Sequence, residues 1–211
     1  MLFRSMKPFL NLIVAMDQRD NIGHEKKVPW APLPTDFNWY LTHATTTKDP
    51  LKRVALVLGR VTFMETILSD EKYLSRWHFI VISRQTTGRI HSACPTVDRE
   101  LIDVVNTFEQ AALRAKELID TPSAMIESAF VFGGAGPYED AIASKLVKRI
   151  YLTRIMAEFP ECDTHISNFD LKDYHRICRP TGELLAELDD KIIEENGLKY
   201  QFQVYERTDS K

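Results

Sequence analysis

The strand-to-helix turn that decides the fold consists of Val131-Phe132-Gly133-Gly134-Ala135-Gly136-Pro137-Tyr138. An apolar run leads into three glycines, and the proline suits the first turn of a helix, where its missing N–H is no loss. Because glycines have no side chains, an anionic ligand can approach the backbone and the free N–H groups of the helix start. The stretch predicts a pyrophosphate site, while a plain tight turn explains the glycines equally well. It is not the G-x-G-x-x-G of a standard dinucleotide fold.

Short apolar runs recur along the whole chain. We predict strands at residues 9–16, 54–58, 79–83, 129–132, 149–155, 174–178 and 199–207, and helices at 35–46, 61–69, 107–119 and 137–146. The first five runs are nearly continuous in Val, Ile, Leu and Phe, as in strands covered on both faces, whereas the last alternates apolar and polar residues. We expect one α/β domain over residues 1–211, with a mostly parallel central sheet of about eight strands, flanking helices and an antiparallel C-terminal edge. The polar segment 179–196 is expected to be a loop.

The composition is that of an ordinary globular chain. Its 211 residues are 44% hydrophobic and 27% charged, and the net charge of −3 provides no basic field for nucleic acid. No apolar run approaches the roughly 20 residues of a membrane span. Residues 1–16 resemble a short signal peptide, but Asn11 interrupts the apolar run and no cleavage pattern follows, so we expect a buried strand.

Cysteine usage and the end of the chain give two further expectations. Cys94, Cys162 and Cys178 are odd in number and far apart, so we predict neither a disulfide framework nor a metal site. A reducing, cytoplasmic compartment fits this pattern. Because the sequence stops just past its last predicted strand, we expect a monofunctional protein.

One carboxylate stands in an apolar, aromatic-rich stretch between Val28 and Tyr40, which contains Pro29-Trp30 and Asp36-Phe37. If these neighbours pack around Asp36, ionisation becomes costly and a cationic or proton-accepting ligand becomes the natural partner. Asp36 is therefore the candidate catalytic or anchoring acid.

Basic residues follow two other predicted strands, as Gly59-Arg60 and as Ser83-Arg84. In a parallel sheet both sites lie at the edge that also holds the glycine turn, where open α/β sheets bind ligands. Two guanidinium groups and a hydroxyl there favour a phosphomonoester, such as the 2′-phosphate of NADP. Taken alone, each arginine is better explained as a solvated strand-end charge.

Together these features, in this order, resemble the dihydrofolate reductase family from about residue 11 to about residue 207. The residues that carry the resemblance are Ile13-Val14-Ala15, Asn21-Ile22-Gly23, Pro29-Trp30, Asp36-Phe37, Gly59-Arg60-x-Thr62-Phe63, Ser83-Arg84, Gly133-Gly134-x-x-x-Tyr138 and Thr153-Arg154. The resemblance implies NADPH-dependent reduction of 7,8-dihydrofolate to tetrahydrofolate, by a monomeric enzyme that antifolates inhibit and that needs no metal, membrane or nucleic acid.

The resemblance also assigns roles to the catalytic residues. It makes Asp36 the acid that binds the pteridine N3–H and 2-amino group and delivers a proton toward N5, Thr153 its hydrogen-bond partner, and Trp30 part of the pocket wall. Residues 17–30 would form a mobile loop over that pocket. In the family's inhibitor complexes, the Ile13 and Phe132 carbonyls would accept hydrogen bonds from the region of the pteridine 4-substituent, and the Gly133–Gly134 peptide bond would be cis.

Two sets of binding residues follow from the same resemblance. The expected substrate-binding residues are Ile13, Val14, Ala15, Asp36, Phe37, Tyr40, Ile67, Leu68, Arg76, Phe132, Tyr138 and Thr153. The expected cofactor-binding residues are Ala15, Ile22, Gly23, Gly59, Arg60, Val61, Thr62, Ser83, Arg84, Phe132, Gly133, Gly134, Ala135, Gly136, Pro137 and Tyr138.

The sequence departs from the family pattern at the residue expected to bind the substrate α-carboxylate. The family arginine stands seven residues before the arginine of Ser-Arg, where this chain has Trp77, and Arg76 lies one position earlier. Either a one-residue bulge restores Arg76 to that role or the carboxylate is bound otherwise. Tyr40, Asn21 and Phe63 also differ from the usual family residues, which affects inhibitor selectivity and loop dynamics more than the reaction.

Two other functions remain open from the sequence. A reductase of a ribosylated pyrimidine would share the glycine turn and the cofactor, but it would not need Pro29-Trp30 followed by Asp36-Phe37. A non-catalytic nucleotide-binding module would bind the cofactor without turnover.

Overall fold

The computed structural model describes residues 6–67, 71–180 and 182–208. Its strands are β1 Leu10–Met16, β2 Asn21–Gly23, β3 Arg53–Gly59, β4 Trp77–Ile82, β5 Ile102–Val105, β6 Ile126–Gly133, β7 Val147–Ile155, β8 Thr164–His165, β9 Tyr174–Ile177, β10 Ile192–Glu195 and β11 Leu198–Arg207. Its α-helices are α1 Pro34–Thr45, α2 Arg60–Thr62, α3 Thr87–Ala93, α4 Phe108–Asp120 and α5 Ala135–Ser144.

The central sheet is mostly parallel, which confirms the predicted fold class. Among the described residues, eight strands pair side by side in the order β10-β11-β7-β1-β6-β3-β4-β5, and a ninth, β9, pairs with β11. Pairings from β7 through β1, β6, β3 and β4 to β5 are parallel, whereas β11 is antiparallel to β7, β9 and β10. The parallel strands therefore bring their carboxyl ends to one edge of the sheet.

Apolar residues cover both faces of this sheet. On one face, Trp39 and Leu41 of α1 pack into a cluster with Phe79 and Phe202. On the other face, α4 and α5 bury alanines and aromatic residues such as Phe108. This two-sided burial explains why the inner strands are apolar at nearly every position.

The segment 179–196 is not the loop that the sequence predicted. It contains a 3₁₀ turn, Ala186–Leu188, and the strand β10, which forms a hairpin with β11. The connection is Asn196-Gly197, with positive φ angles of 50° and 79°, the sequence that two-residue hairpin turns favour. The prediction failed because Ile192 and Ile193 lie between two charged pairs, so this short edge strand lacks the longer apolar run that indicates a strand.

Other boundaries differ from the predicted ones. The helix predicted at 61–69 is a short α2 that continues as a π-helical turn, Phe63–Ile67, and Leu68 lies outside the described residues. The sequence also gave no signal for α3 or β5. Helix α5 begins two residues before Pro137, so the proline lies within the first turn. In the part of the chain that the structure describes, every helix is too short or too polar to cross a bilayer.

Candidate active site

A cavity of about 1280 Å³ opens at the carboxyl edge of the parallel strands. It lies between the glycine turn after β6, the ends of β1, β3 and β4, the loop before α1, and α1 itself. A drug-sized ligand site usually measures about 300 to 1,000 Å³, so this cavity has room for more than one small ligand.

Asp36 lies in the first turn of α1 and faces this cavity. The Thr153 hydroxyl, from β7, donates a hydrogen bond of 2.6 Å to Asp36 Oδ1. Burial disfavours the charged form and, with a smaller contribution from the nearby Glu195 carboxylate, raises the pKa of Asp36 to about 6, although the Thr153 bond acts in the opposite direction. A carboxyl group with that pKa can hold a proton at near-neutral pH and release it to a ligand.

The glycine turn joins β6 to α5 at the cavity wall. The Gly133–Gly134 peptide bond is cis, and Gly133 has a φ of 114°, a backbone conformation that favours glycine. The buried Tyr138 ring lies against Gly133, and the Tyr138 hydroxyl donates to the Ile13 carbonyl at 2.8 Å. A Cβ on Gly134 would lie 3.3 Å from Thr62 Oγ1. Gly133 is therefore favoured by its backbone conformation and Gly134 by the close approach of Thr62.

Basic side chains line the cavity near the glycine turn. Arg60 follows β3 and Arg84 follows β4, and Ser83 lies buried beside them. Ser83 Oγ accepts a hydrogen bond from the Gln85 backbone N–H at 2.9 Å, so its own proton is available to a ligand. Within residues 6–67, 71–180 and 182–208, neither guanidinium forms an ion pair with a carboxylate. The arrangement suits an anionic group.

The loop predicted over the pocket contributes Ile22, Gly23 and Trp30 to the cavity wall. Its first residue, Asp17, is fully buried, and its carboxylate accepts hydrogen bonds from the backbone N–H groups of Arg19, Asn21 and Phe159 and from Asn21 Nδ2, at 2.8 to 2.9 Å. Burial alone would raise the pKa of Asp17, but these donors lower it below its ordinary value. Asp17 therefore fixes the start of the loop.

Replacing Asp17 with asparagine is expected to destabilise the protein by about 2 to 3 kcal/mol, because an amide cannot accept from all these donors. For a chain of this length that corresponds to roughly 4 to 12 °C in Tm. Since the folded pKa is lowered, the stabilisation is present above the unfolded value of 3.8 and is lost as pH falls through the folded value. Denaturant unfolding between pH 3 and 7 measures this difference.

The matched control for that variant is Asp20→Asn, on the same loop. Asp20 is partly exposed and pairs with Arg154 at 2.8 Å, so its replacement should cost less than about 1 kcal/mol. Equal losses in the two variants would contradict the role assigned to Asp17.

An aromatic wall lies beside Asp36. Phe37 and Tyr40 pack edge to face with ring centroids 5.0 Å apart, and Tyr40 packs on Phe132 at 5.3 Å. Phe37 is 44% exposed, at the cavity mouth, so an aromatic ligand group can pack against it.

The structure does not bring Arg76 to the described cavity lining. Its guanidinium donates to the carbonyl of Thr45, the last residue of α1, and to that of Pro50 in the loop that follows. Trp77, at the family arginine's position, is buried and donates from its indole N–H to the Ala44 carbonyl at 2.7 Å. No one-residue bulge restores the arginine here, because Trp77 pairs in register with Val54 at the start of β4.

The remaining predicted residues gather around the cavity, apart from two near the π-helical turn. Leu68 lies outside the described residues, and only the backbone of Ile67 is described. The predicted residues that line the cavity are Ile13, Val14, Ala15, Ile22, Gly23, Trp30, Asp36, Phe37, Tyr40, Gly59, Arg60, Val61, Thr62, Ser83, Arg84, Phe132, Gly133, Gly134, Ala135, Gly136, Pro137, Tyr138 and Thr153.

Sequence reasoning missed several lining residues. They are Lys26, Lys27, Val28, Ala31, Pro32, Leu33, Pro34, Ile82, Gln85 and Thr164. Most belong to the loop before α1, where apolar residues and prolines gave no periodic signal. The two lysines are exposed loop residues, which sequence alone does not separate from ordinary surface charges.

Comparisons with known proteins agree with this geometry. The dihydrofolate reductase family model matches residues 9–207. The dihydrofolate reductases of Mus musculus and Rattus norvegicus are each 30% identical to this chain over 200 residues, which cover 95% of this chain and 98% of theirs. A putative dihydrofolate reductase of Caenorhabditis elegans is 32% identical over 195 residues, covering 92% of this chain and 94% of its own.

Proposed function

Since this chain belongs to the dihydrofolate reductase family, we propose that NADPH is its hydride donor and that Asp36 is the acid of its reaction. The chain reduces dihydrofolate to tetrahydrofolate with a nicotinamide cofactor. The single observation that supports Asp36 is its position: a carboxyl group of raised pKa, hydrogen-bonded to Thr153, on the wall of the cavity that the glycine turn also lines.

Asp36 and Thr153 together explain how this chain handles the substrate proton. When ionised, the carboxylate can accept paired N–H donors from the pterin ring, and such charge-assisted bonds are short and orienting. The protonated form is the one that can supply a proton to the substrate. Protonation at N5 makes the neighbouring C6 more electrophilic, so an acid that holds a proton near neutral pH promotes reduction there. Thr153 orients the carboxyl group, because it occupies one acceptor site of Oδ1 and leaves Oδ2 and the other site of Oδ1 for the ligand or a bridging water.

The residues at the glycine turn fit a nicotinamide dinucleotide. Gly136 has no atom within 4 Å of an added Cβ, so the turn is open to a ligand there, and α5 begins at Ala135 with backbone N–H groups at its start. Arg60, Ser83 and Arg84 would hold an additional phosphate, which supports NADPH rather than NADH. When bound, the reduced nicotinamide supplies the hydride.

The reaction is expected to lose rate as pH rises. Since protonated Asp36 is the active form and the pKa is about 6, kcat/KM should fall tenfold per pH unit above that value and level off below it. Spectrophotometric consumption of NADPH with dihydrofolate, between pH 5 and 9, measures the profile. A control without dihydrofolate excludes background oxidation, and a profile that is flat from pH 5 to 9 would contradict the assignment.

Three smaller proposals accompany this function. We propose that antifolates compete with dihydrofolate for the cavity beside Asp36, that residues 1–211 form one monomeric domain, and that the protein acts in the cytoplasm. The odd number and wide spacing of Cys94, Cys162 and Cys178 support a reducing compartment. An inhibition assay with an antifolate and sedimentation of the purified chain test the first two.

A further inference from the structure

A hairpin from the end of the chain contacts the beginning of the helix that carries Asp36. The hairpin is β10–β11, and its turn residue Asn196 donates from Nδ2 to the Pro32 carbonyl at 2.6 Å. Next to it, Glu195 accepts hydrogen bonds from the Thr35 backbone N–H, at 3.1 Å to Oε2, and from the Thr35 hydroxyl, at 3.1 Å to Oε1. Tyr200 of β11 also donates its hydroxyl to Glu195 Oε2 at 2.9 Å.

Helix α1 depends on this contact for its first turn. The residue at its N-cap is Leu33, which has no side chain able to accept a backbone N–H. The first N–H groups of a helix have no partner within the helix, and a carboxylate is favoured beside them by the helix dipole. Glu195 supplies that carboxylate from a position 160 residues away in sequence.

Glu195 also acts on the charge of Asp36, the neighbour of Thr35. Among the described residues, the titratable groups that interact electrostatically with Asp36 are Glu195 of β10 and the phenol of Tyr200 of β11. The group that β7 contributes is the uncharged Thr153 hydroxyl. Burial, and next the hydrogen bond to Glu195, raise the pKa of Tyr200, so the phenol is neutral at physiological pH. Glu195 is thus the charged neighbour of Asp36 in this arrangement.

We propose that Glu195 is a positioning residue of the reaction, which is itself held by the Tyr200 hydroxyl, binds the first turn of α1 through Thr35 and places a second negative charge beside Asp36. Two like charges disfavour each other's ionisation, so the Glu195 carboxylate favours the protonated form of Asp36. The inference rests on the proposed role of Asp36 as the acid, and it adds a residue that lies outside the described cavity lining.

The variant Glu195→Gln tests this, because it keeps the size and one acceptor of the side chain and removes its charge. Without that charge the pKa of Asp36 should fall, and the midpoint of the kcat/KM profile should move toward acid by about 0.3 to 1 pH unit. Above the midpoint that shift lowers the rate about two- to tenfold, whereas at about pH 4, below both midpoints, the variant should match the wild type. A residue with only a structural role would lower the rate equally at all pH values.

The matched control is Glu194→Gln, on the same strand. Glu194 is exposed and lies 3.7 Å from Lys199 Nζ, so its replacement makes the same change in net charge and should leave the midpoint unchanged. Titration of the ¹³C-labelled Asp36 carboxyl group by NMR, in ligand-free wild type and both variants, measures the same shift without turnover. A wild-type protein that does not reduce dihydrofolate would contradict the proposed function. The NMR comparison would still decide whether Glu195 raises the pKa of Asp36.

An unchanged Asp36 midpoint in folded Glu195→Gln would overturn the proposal, whether or not the rate falls. If that variant does not fold, Glu195→Asp replaces it. Because aspartate keeps the charge, its midpoint should lie within about 0.3 unit of the wild type, while shortening the side chain weakens the bonds to Thr35 and raises KM. A midpoint displaced toward acid by more than about 0.3 unit in this charge-retaining variant would also overturn the proposal.

Discussion

Replacing Asp36 with asparagine is expected to lower dihydrofolate reduction at pH 7 by about two to four orders of magnitude, the usual contribution of a positioned acid. Asparagine has the same shape and can still accept the Thr153 hydroxyl bond seen at 2.6 Å, but it has no proton to release. NADPH binding should stay within about twofold of the wild type, because the residues proposed to make charge-assisted contacts to the cofactor are Arg60 and Arg84 and not Asp36. Stopped-flow hydride transfer and fluorescence titration of NADPH measure the two quantities.

The pH dependence separates this explanation from a general loss of structure. Without the acid, protons must come from solution, so the residual rate of Asp36→Asn should continue to rise as pH falls below 6 and should not level off. The control Asp49→Asn makes the same chemical change just after α1, outside the described cavity lining, and should retain full activity. Wild-type rates in Asp36→Asn would remove Asp36 from the mechanism.

Replacing Arg60 or Arg84 with alanine is expected to weaken NADPH binding about 10- to 100-fold for each residue, as for a lost charge-assisted hydrogen bond. NADH lacks the extra phosphate, so its dissociation constant should change less than about threefold. Both arginines line the same cavity as Ser83, and the proposed function assigns the extra phosphate to these three side chains. Fluorescence titration with each cofactor measures the difference in selectivity.

The control for cofactor choice is Arg89→Ala. Arg89 is an exposed arginine on α3, outside the described cavity lining, and its removal alters net charge equally without removing a contact. Equal losses of NADPH and NADH affinity in the Arg60 and Arg84 variants would show that the arginines support the fold of the pocket and do not select the phosphate.

The sequence predicted the cavity well where its residues follow buried strands. Gly59-Arg60, Ser83-Arg84 and Gly133-Gly134 each come directly after an apolar run, and parallel pairing places such ends at one edge. The family resemblance added Thr153, which β1 and β7 bring level with Ala15. These positions were predictable because local pattern and sheet topology both determine them.

Contacts between distant segments were not predictable in the same way. Glu195 belongs to a pair of glutamates on a short edge strand, and nothing in its local pattern indicates that it contacts Thr35. Arg76 and Trp77 show the converse. The sequence suggested Arg76 as a residue that binds the substrate carboxylate, but both side chains donate to carbonyls at the end of α1. Side-chain direction at the start of β4, which sequence spacing does not give, decides their roles.

The long separation in sequence between Thr35 and Glu195 affects the order in which contacts form while the chain is being synthesised. A ribosome releases the glycine turn and both arginines long before the β10–β11 hairpin, which joins α1 by contacts spanning 160 residues. Contacts so distant in sequence form late, since a large loop must close first. A nascent chain interrupted before β10 would contain nearly every motif residue and would still lack the contacts of Glu195 and Asn196 with the start of α1.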